Sequence, residues 1–440
     1  MKFRSAIAIT LGVVLAASTL GPALASPAPA FVDVPGARIL SSTKVTERTQ
    51  SLTIATPSFT ENTRVEVMLP TGYGDDPDRR WPVTYYLAGT SHDEKRFRNR
   101  YEGEQATASF ESIVVIPKGD SSYWSDSYNY GQPGGGKYET FVSRQLIPLI
   151  DANFPTRAER AYRAIFGESM GGYGTMMMAA RHPDLFVAAA SLSGVLDSNY
   201  VPGGALITIA GSPDNVYGNR LTEMVRWRGH NPADLAGNLR DVALQIRVGN
   251  GVIGNGEGGT DILGCGPEIS IVAPESESMR RILVGLDIPH VAHQYSFGCH
   301  SDPLIRREIR DAVPGLAAAF GTPSPATFDY RSIEPKFSVY DWSIAADPAR
   351  ALEFMMLSHV GAHGLTLAGS GTTTVTTPPL FAPSQSVDVV VAGGTTKTVT
   401  ANAAGRITFP VKLGVPDTQQ QYLFGSTTTV TIATVTFVKH

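Results

Sequence analysis

The stretch 163–182 constrains this chain most, because a short apolar run leads into Gly167-Glu-Ser-Met-Gly171 and a helical pattern follows it. A G-x-S-x-G pentapeptide between a strand and a helix is typical of a sharp turn that presents its serine at the helix N-terminus. Glycines suit such a turn because a Cβ atom would meet the neighbouring backbone. Free N–H groups at a helix N-terminus favour negative charge, so Ser169 is the candidate nucleophile. The alternative interpretation is an ordinary Gly/Ser turn.

Alternating strand and helix patterns indicate the fold around this turn. Predicted strands are 51–55, 63–69, 82–87, 112–116, 163–166, 187–192, 244–248 and 290–296, and predicted helices are 138–150, 169–181 and 275–286. This alternation predicts a doubly wound, mostly parallel α/β sheet of the α/β-hydrolase kind. In such a sheet, functional groups gather at the carboxyl ends of the strands.

The composition changes after about residue 325, and Thr, Val, Ala and Gly dominate from residue 364 onward. Alternating segments predict an antiparallel sheet, and Gly393-Gly394 is a candidate hairpin turn. We therefore expect an extended lead-in at 26–49, a catalytic domain at 50–325 and a β-sandwich-like domain at 326–440. The last is either a module that binds a wall or polymer, or a packing partner of the catalytic domain.

The N-terminus has the pattern of a signal peptide over residues 1–25. Lys2 and Arg4 precede an apolar run at 7–17, and Ala23-Leu-Ala25 is a small-residue cleavage site. The sequence therefore predicts a secreted or cell-wall-associated protein, with an uncleaved anchor as the alternative. The net charge of −4 gives no electrostatic reason to expect nucleic acid or an anionic membrane surface as a partner.

A serine nucleophile needs a base, and His300 is the best-placed of the nine histidines. It lies in the loop after the last predicted strand, which is where an α/β-hydrolase delivers its histidine. His182, at the end of the elbow helix, and His290 and His293, beside that strand, are the alternatives. The acid that orients the base must lie between Ser169 and His300. The candidate acids are Glu257, Asp261, Glu268, Glu275, Glu277 and Asp287.

The chain has two cysteines, Cys265 and Cys299. An even count in a secreted chain favours a disulfide, which here ties the loop near Glu268 to the loop of His300. Two unpaired thiols are the alternative. Two cysteines alone cannot form a zinc site, and we expect neither a metal nor a cofactor.

The negative charge that develops during acyl transfer needs two backbone N–H groups. Met170 directly follows the nucleophile and is the first candidate donor. Thr90 lies in the loop after the strand 82–87 and is the second.

Seven stretches together carry a family resemblance. They are Val114-Val-Ile-Pro-Lys-Gly-Asp-Ser-Ser-Tyr-Trp-Ser-Asp126, Tyr138-Glu-Thr-Phe141, Gly167-Glu-Ser-Met170, Leu192-Ser-Gly-Val-Leu-Asp197, Asn231-Pro232, Arg247-Val-Gly-Asn-Gly251 and His300-Ser301. In this combination the chain resembles the antigen 85 mycolyltransferases and the wider esterase D-like α/β-hydrolases. The family's glutamate sits about thirty residues before its histidine, so the resemblance selects Glu268, 32 residues before His300. It also supports Thr90 and Met170 as oxyanion donors.

The chain departs from the transferases where they hold trehalose. The family's Asp-Gly-Leu-Arg is here Ala88-Gly-Thr-Ser91, and Asp302 replaces an aromatic residue. We therefore expect a secreted serine esterase that cleaves acyl esters through an acyl-enzyme. Its substrate is an acyl ester or lipid, with a cell-wall glycolipid or polymer as a further candidate partner. The alternatives are an acyl transferase to a sugar or other alcohol, and a non-catalytic wall-binding protein on a hydrolase fold.

Overall fold

The computed structural model describes residues 31–128, 135–200, 216–254, 262–394 and 396–440. The predicted signal peptide with its cleavage site near Ala25, and the candidate acids Glu257 and Asp261, lie outside these ranges. Val32–His440 is one compact unit, so the predicted boundary near residue 325 falls inside it.

A nine-stranded sheet organises residues 38–294. Its strands are β1 (Arg38–Lys44), β2 (Thr49–Ala55), β3 (Thr63–Met68), β4 (Val83–Leu87), β5 (Ile113–Pro117), β6 (Arg163–Glu168), β7 (Ala188–Leu192), β8 (Ala243–Val248) and β9 (His290–Gln294). Their order is β1-β2-β3-β5-β4-β6-β7-β8-β9, antiparallel from β1 to β5 and parallel from β5 to β9. The loops after β4, β6, β7 and β8 therefore meet at one edge of the sheet.

The central strands β4 to β7 are buried along their whole length. Neighbouring side chains point to opposite faces, so Tyr85 packs in one apolar core and Tyr86 in another. The first core contains the methionines of the elbow helix (Met170–Arg181), and the second contains Ile305 and Ile309. Helices thus cover both faces, and the α/β-hydrolase fold that the sequence predicted is confirmed.

Three of the described α-helices have twelve or more residues: Met170–Arg181, Ala273–Gly285 and Asp302–Ala319. The α-helices are Arg96–Arg100, Gly103–Ala106, Tyr138–Thr140, Ile147–Asn153, Met170–Arg181, Met224–His230, Ile262–Pro267, Ala273–Gly285 and Asp302–Ala319, with π-helical turns at Phe141–Leu146 and Glu268–Val272 and 3-10 turns at Arg160–Tyr162 and Ala236–Leu239. The helices predicted at 138–150, 169–181 and 275–286 are present with slightly different bounds. Within the described ranges, no helix has the length and apolar character to cross a membrane.

Several described elements were not predicted, among them the edge strand β1 and the helix Asp302–Ala319. The lead-in contains β1, which pairs with β2 and extends the sheet by one antiparallel edge strand. β1 is exposed at all but one position, which is why it shows no apolar pattern. The helix Asp302–Ala319 was not predicted either, although its buried residues recur with a helical period: Leu304, Ile305, Ile309, Ala312, Val313 and Leu316.

The C-terminal part consists of antiparallel strands, as predicted. They are β10 (Thr327–Ser332), β11 (Lys336–Val339), β12 (Trp342–Ala345), β13 (Met355–Gly361), β14 (Gly364–Gly369), β15 (Gly371–Thr376), β16 (Ser386–Val391), β17 (Thr396–Thr400), β18 (Thr408–Leu413) and β19 (Thr431–Lys439). They form a six-stranded sheet, β10-β13-β14-β19-β16-β17, and a four-stranded sheet, β11-β12-β15-β18. Both sheets contribute to one apolar core, which fits a small all-β domain.

The C-terminal part packs against the end of the elbow helix. The Arg181 guanidinium bonds Glu139 and Glu334, each at 2.7 Å, and Tyr330 donates its hydroxyl to the Arg181 carbonyl. Ile333 and Phe354 belong to the apolar core of the large sheet. The two parts therefore share buried contacts beyond a single linker.

Candidate active site

Ser169 lies at the turn between β6 and the elbow helix. Its φ of +56° lies in a region that costs a non-glycine residue about 1–3 kcal/mol. The Ser169 N–H donates to the Leu192 carbonyl at 2.9 Å, which ties the turn to the neighbouring strand. A Cβ atom at Gly171 collides with the Leu87 backbone, so a glycine is required there. The local sequence thus forms the sharp strand-to-helix turn that its pattern predicted.

His300 joins Ser169 to Glu268 in one chain of hydrogen bonds. His300 Nε2 lies 2.9 Å from Ser169 Oγ, and His300 Nδ1 lies 2.8 Å from Glu268 Oε2. A carboxylate can only accept, so Nδ1 carries the proton and Nε2 is free to take one from the serine. The structure therefore brings together the three residues that the sequence analysis selected, in the order that acyl transfer by a serine needs.

Groups at the ends of two neighbouring strands hold Glu268. Its side chain is fully buried, and Oε1 accepts the Gly249 N–H at 2.7 Å and the Ser193 hydroxyl at 2.8 Å. Ser193 follows β7 and Gly249 follows β8. The sequence analysis missed the role of Ser193, although this serine lies in a stretch that carries the family resemblance.

The electrostatic surroundings of His300 favour its charged form. Burial lowers the pKa of the imidazole, but the hydrogen bond and charge of Glu268, with the charge of Glu168, outweigh it. The pKa of His300 therefore lies above its ordinary value, so the ring accepts a proton readily.

The loops of the acid and the base are joined twice. Cys265 and Cys299 form a disulfide across a sequence separation of 34, and the His300 N–H donates to the Gly264 carbonyl at 2.9 Å. Glu268 begins the π-helical turn that follows the helix of Cys265. Both ties lie within four residues of the triad groups that they hold.

The two candidate oxyanion donors belong to the elbow helix and to the loop after β4. Met170 is the first residue of the elbow helix, and Thr90 lines the same cleft as Ser169. Glu168 fixes the Thr90 loop, because its Oε1 accepts the neighbouring Gly89 N–H at 2.7 Å. Glu168 has no predicted role, because its partner Gly89 is distant in sequence.

The cleft in front of Ser169 is polar and has a volume of about 600 Å³. Asp302 forms part of its wall and accepts from Arg96 at 2.7 Å and from Arg100 at 2.8 Å. Residues 88–91 lack the acidic and basic side chains that the transferases have there. Arg96, Arg100 and Asp302 nevertheless place charges of both signs in this cleft.

The alternative acids and bases have other partners. Glu275 accepts the Asp197 N–H and Glu277 pairs with Arg280 and Arg281, while His182 bonds Glu139 and His290 bonds the Ile288 carbonyl. His293 packs edge-to-face against Tyr295, and Asp287 lies in the turn before β9. Across the ranges that the structure covers, no three His, Cys, Asp or Glu side chains are grouped to hold a metal ion.

Sequence comparison finds relatives among mycobacterial enzymes. The chain is 28% identical over 273 residues to the esterase Rv1288 of Mycobacterium tuberculosis, covering 60% of this chain and 58% of that protein. It is 30% identical over 190 residues to the diacylglycerol acyltransferase/mycolyltransferase Ag85B of Mycobacterium leprae, covering 39% and 55% respectively. The chain thus spans less than two thirds of the length of these relatives.

Structure comparison supports the fold. An S-formylglutathione hydrolase from Agrobacterium tumefaciens matches with a TM-score of 0.52 at 16% identity, covering 64% of this chain and 99% of that one. MPT51 of Mycobacterium tuberculosis matches with a TM-score of 0.50 at 19% identity, covering 60% and 96%. A family model described as putative esterase matches residues 56–302, more than half of the chain. With its α/β-hydrolase sheet and these relatives, the chain belongs to the putative esterase family of hydrolases and acyltransferases.

Proposed function

We propose that this chain is a secreted serine esterase that hydrolyses carboxylic esters through an acyl-enzyme on Ser169. The observation that carries the proposal is the continuous hydrogen-bonded chain from Ser169 Oγ through His300 to Glu268. A nucleophile, a base and an orienting acid within hydrogen-bond reach are the parts that covalent acyl transfer needs.

The reaction follows from this geometry. His300 Nε2 takes the Ser169 proton while Oγ forms a bond to the ester carbonyl carbon, and Glu268 stabilises the resulting imidazolium. The N–H groups of Met170 and Thr90 stabilise the tetrahedral oxyanion. The carbon–oxygen bond to the alcohol then breaks, and the alcohol leaves with the proton from His300. Water, deprotonated by the same histidine, attacks the acyl-enzyme and releases the acid and free Ser169.

The place of action is part of the proposal. The signal-peptide pattern of residues 1–25 supports export, and a disulfide beside the triad suits an oxidising compartment. The substrate is an acyl ester or lipid that reaches the polar cleft beside Arg96 and Asp302, with cell-wall material as one source.

Replacing the nucleophile tests the proposal. Ser169→Ala should lower kcat for ester hydrolysis by about 10⁴-fold or more, because the variant lacks the hydroxyl oxygen that attacks the ester carbonyl carbon. Melting temperature should barely change, since the variant loses only a hydroxyl group. The assay is release of alcohol from a chain-length series of esters. Near-normal turnover by the purified variant contradicts the proposed mechanism.

Acyl transfer to an alcohol is the second candidate activity. Two observations favour it: the similarity to Ag85B, and the Arg96, Arg100 and Asp302 side chains, which can hydrogen-bond the hydroxyls of an acceptor. Product analysis with an ester donor, with and without trehalose or another sugar, separates the two activities. If added sugar leads to acyl sugar in place of free acid, the result supports transfer. If free acid forms at an unchanged rate with sugar present, the result supports hydrolysis.

A further inference from the structure

A second buried glutamate lies behind the triad acid. Glu308 sits on the helix Asp302–Ala319 and has no exposed side-chain surface. Its Oε1 lies 3.0 Å from Ser193 Oγ, the hydroxyl that also lies 2.8 Å from Glu268 Oε1. Glu308 Oε2 has no hydrogen-bond partner among the described residues. The mechanism above gives Glu308 no role, so its burial there needs an explanation.

Counting protons at Ser193 limits the charge states of the two glutamates. A serine hydroxyl has one proton to donate, and an ionised carboxylate can only accept. If Glu268 and Glu308 were both ionised, Ser193 could direct its proton to only one of them. The other short contact would then bring a serine oxygen and a carboxylate oxygen together with no proton between them. One proton shared between two ionised carboxylates would satisfy neither fully, so the two short contacts favour a proton on one of the two carboxyl groups.

The partners of each carboxyl group place that proton on Glu308. Glu268 receives donors at both oxygens, from Gly249 and Ser193 at Oε1 and from His300 at Oε2. Among the described residues, the Glu308 side chain has a hydrogen bond with Ser193 alone. A buried carboxylate with one oxygen lacking a described partner is costly, whereas a buried neutral acid is tolerated.

We propose that Glu308 is a neutral carboxylic acid whose proton is donated to Ser193, and that Ser193 in turn donates to Glu268 and so positions the triad acid. The hydrogen-bonded chain then runs from Glu308 through Ser193, Glu268 and His300 to Ser169. Glu308 is a positioning residue, since it acts through Ser193 and touches no reacting atom. The expected effect of Glu308 on ester turnover rests on the proposed function. The claim that Glu308 is protonated does not, because it comes from the contacts alone.

The charges around Glu308 agree with a neutral acid. Burial, followed by the charge of Glu268, raises the pKa of Glu308 well above its ordinary value, and Glu168 acts in the same direction. The Ser193 hydrogen bond and the Arg247 guanidinium act in the opposite direction and do not outweigh burial. The Tyr295 phenol also faces this group and stays neutral, because burial raises its pKa above the ordinary value.

Infrared spectroscopy at neutral pH tests the protonation directly. We expect a carbonyl band of a protonated carboxylic acid that is lost in Glu308→Gln. In Ser193→Ala the band should persist and move to higher frequency, because its hydrogen bond to the serine is gone. An unchanged spectrum in Glu308→Gln means that Glu308 is ionised and overturns the proposal. This result is independent of turnover, so it distinguishes failure of this inference from failure of the proposed esterase activity.

Glu275 provides a matched control for the spectra. It is a second buried carboxyl group, and burial raises its pKa to about 9. Glu275 accepts a hydrogen bond from the Asp197 N–H, outside the chain that leads to His300. Glu275→Gln should remove its own band and leave both the Glu308 band and ester turnover unchanged. Loss of the Glu308 band in this control means that the band was misassigned and overturns the proposal.

The kinetic test separates a neutral from an ionised Glu308. Glutamine can still donate to Ser193, so Glu308→Gln should keep kcat/KM within about threefold, and Glu308→Ala should lose about tenfold. The acid limb of the pH profile should stay in place in Glu308→Gln, because no charge is removed. A shift of that limb to lower pH by about half a unit or more shows that a negative charge near His300 was lost, and overturns the proposal.

Discussion

At the scale of single residues, the proposed mechanism makes His300 the group that decides at which pH the site can act. Its ring is placed between Ser169 and Glu268, and its pKa lies above the ordinary value for the reasons given above. Only the neutral ring can take the serine proton. The pH at which activity begins therefore reports the pKa of His300, which its contacts determine.

We expect the acid limb of kcat/KM to lie above the ordinary histidine value of about 6.5, with activity lost as pH falls through it. Glu268→Gln removes the charge that stabilises the imidazolium, so the limb should move to lower pH. kcat should also fall by about 10³-fold, since the base loses its orienting partner. The measurement is a pH–rate profile for each variant.

Glu275→Gln and Glu277→Gln are the controls for this experiment, because neither side chain has a hydrogen bond to His300 in the structure. Both should keep the wild-type profile. If kcat falls strongly in either control but not in Glu268→Gln, the triad acid has been assigned to the wrong residue.

Much of this site could be predicted from the sequence, but not all of it. Ser169 could be predicted from its pentapeptide, and His300 from its position after the last predicted strand. Glu268 needed the family spacing, because the residues alone left six acids open. Glu168 and Glu308 could not be assigned, since their importance lies in contacts with Gly89 and Ser193 that are distant in sequence.

At the scale of elements, the acid and the base lie on segments that only tertiary contacts bring together. The Cys265–Cys299 disulfide and the bond from the His300 N–H to the Gly264 carbonyl connect these segments. Loops are otherwise the more mobile parts of a fold, and catalysis is sensitive to errors of about one ångström. The bridge is therefore placed to limit movement between Glu268 and His300.

Removing the bridge should lower activity before it unfolds the protein. In a Cys265→Ser, Cys299→Ser double variant, we expect kcat to fall by about tenfold to a hundredfold. The free energy of unfolding should fall by about 3–4 kcal/mol. Turnover measured below the melting transition, with circular dichroism as the check on folding, gives the answer. An unchanged kcat in the double variant means that the bridge does not position the triad.

At the scale of the whole molecule, the β-rich part is tied to the hydrolase part without reaching its cleft. Ile333 and Phe354 enter the core of the large sheet, and Glu334 pairs with Arg181. The described residues that line the cleft all lie before residue 306. We propose that residues 326–440 form a separable domain that stabilises the hydrolase and contains no catalytic group.

A chain ending at Pro325 should keep hydrolysis of a small soluble ester and melt at a lower temperature. Ile333→Ala in the full chain should lose about 2–5 kcal/mol of stability, because it leaves a cavity in the core of the large sheet. Its kcat should stay near the wild-type value. Complete loss of small-ester hydrolysis in a folded truncated chain shows that the β-rich part completes the site.

Labelling with a fluorophosphonate tests the central claim most directly, because the probe reacts with an activated serine. We expect one phosphonyl adduct per chain, located by peptide mass spectrometry on Ser169, and none in Ser169→Ala. Labelling should also fall when His300 is protonated at low pH, in step with turnover. An adduct on another serine, or no adduct in a protein that hydrolyses esters, contradicts the account.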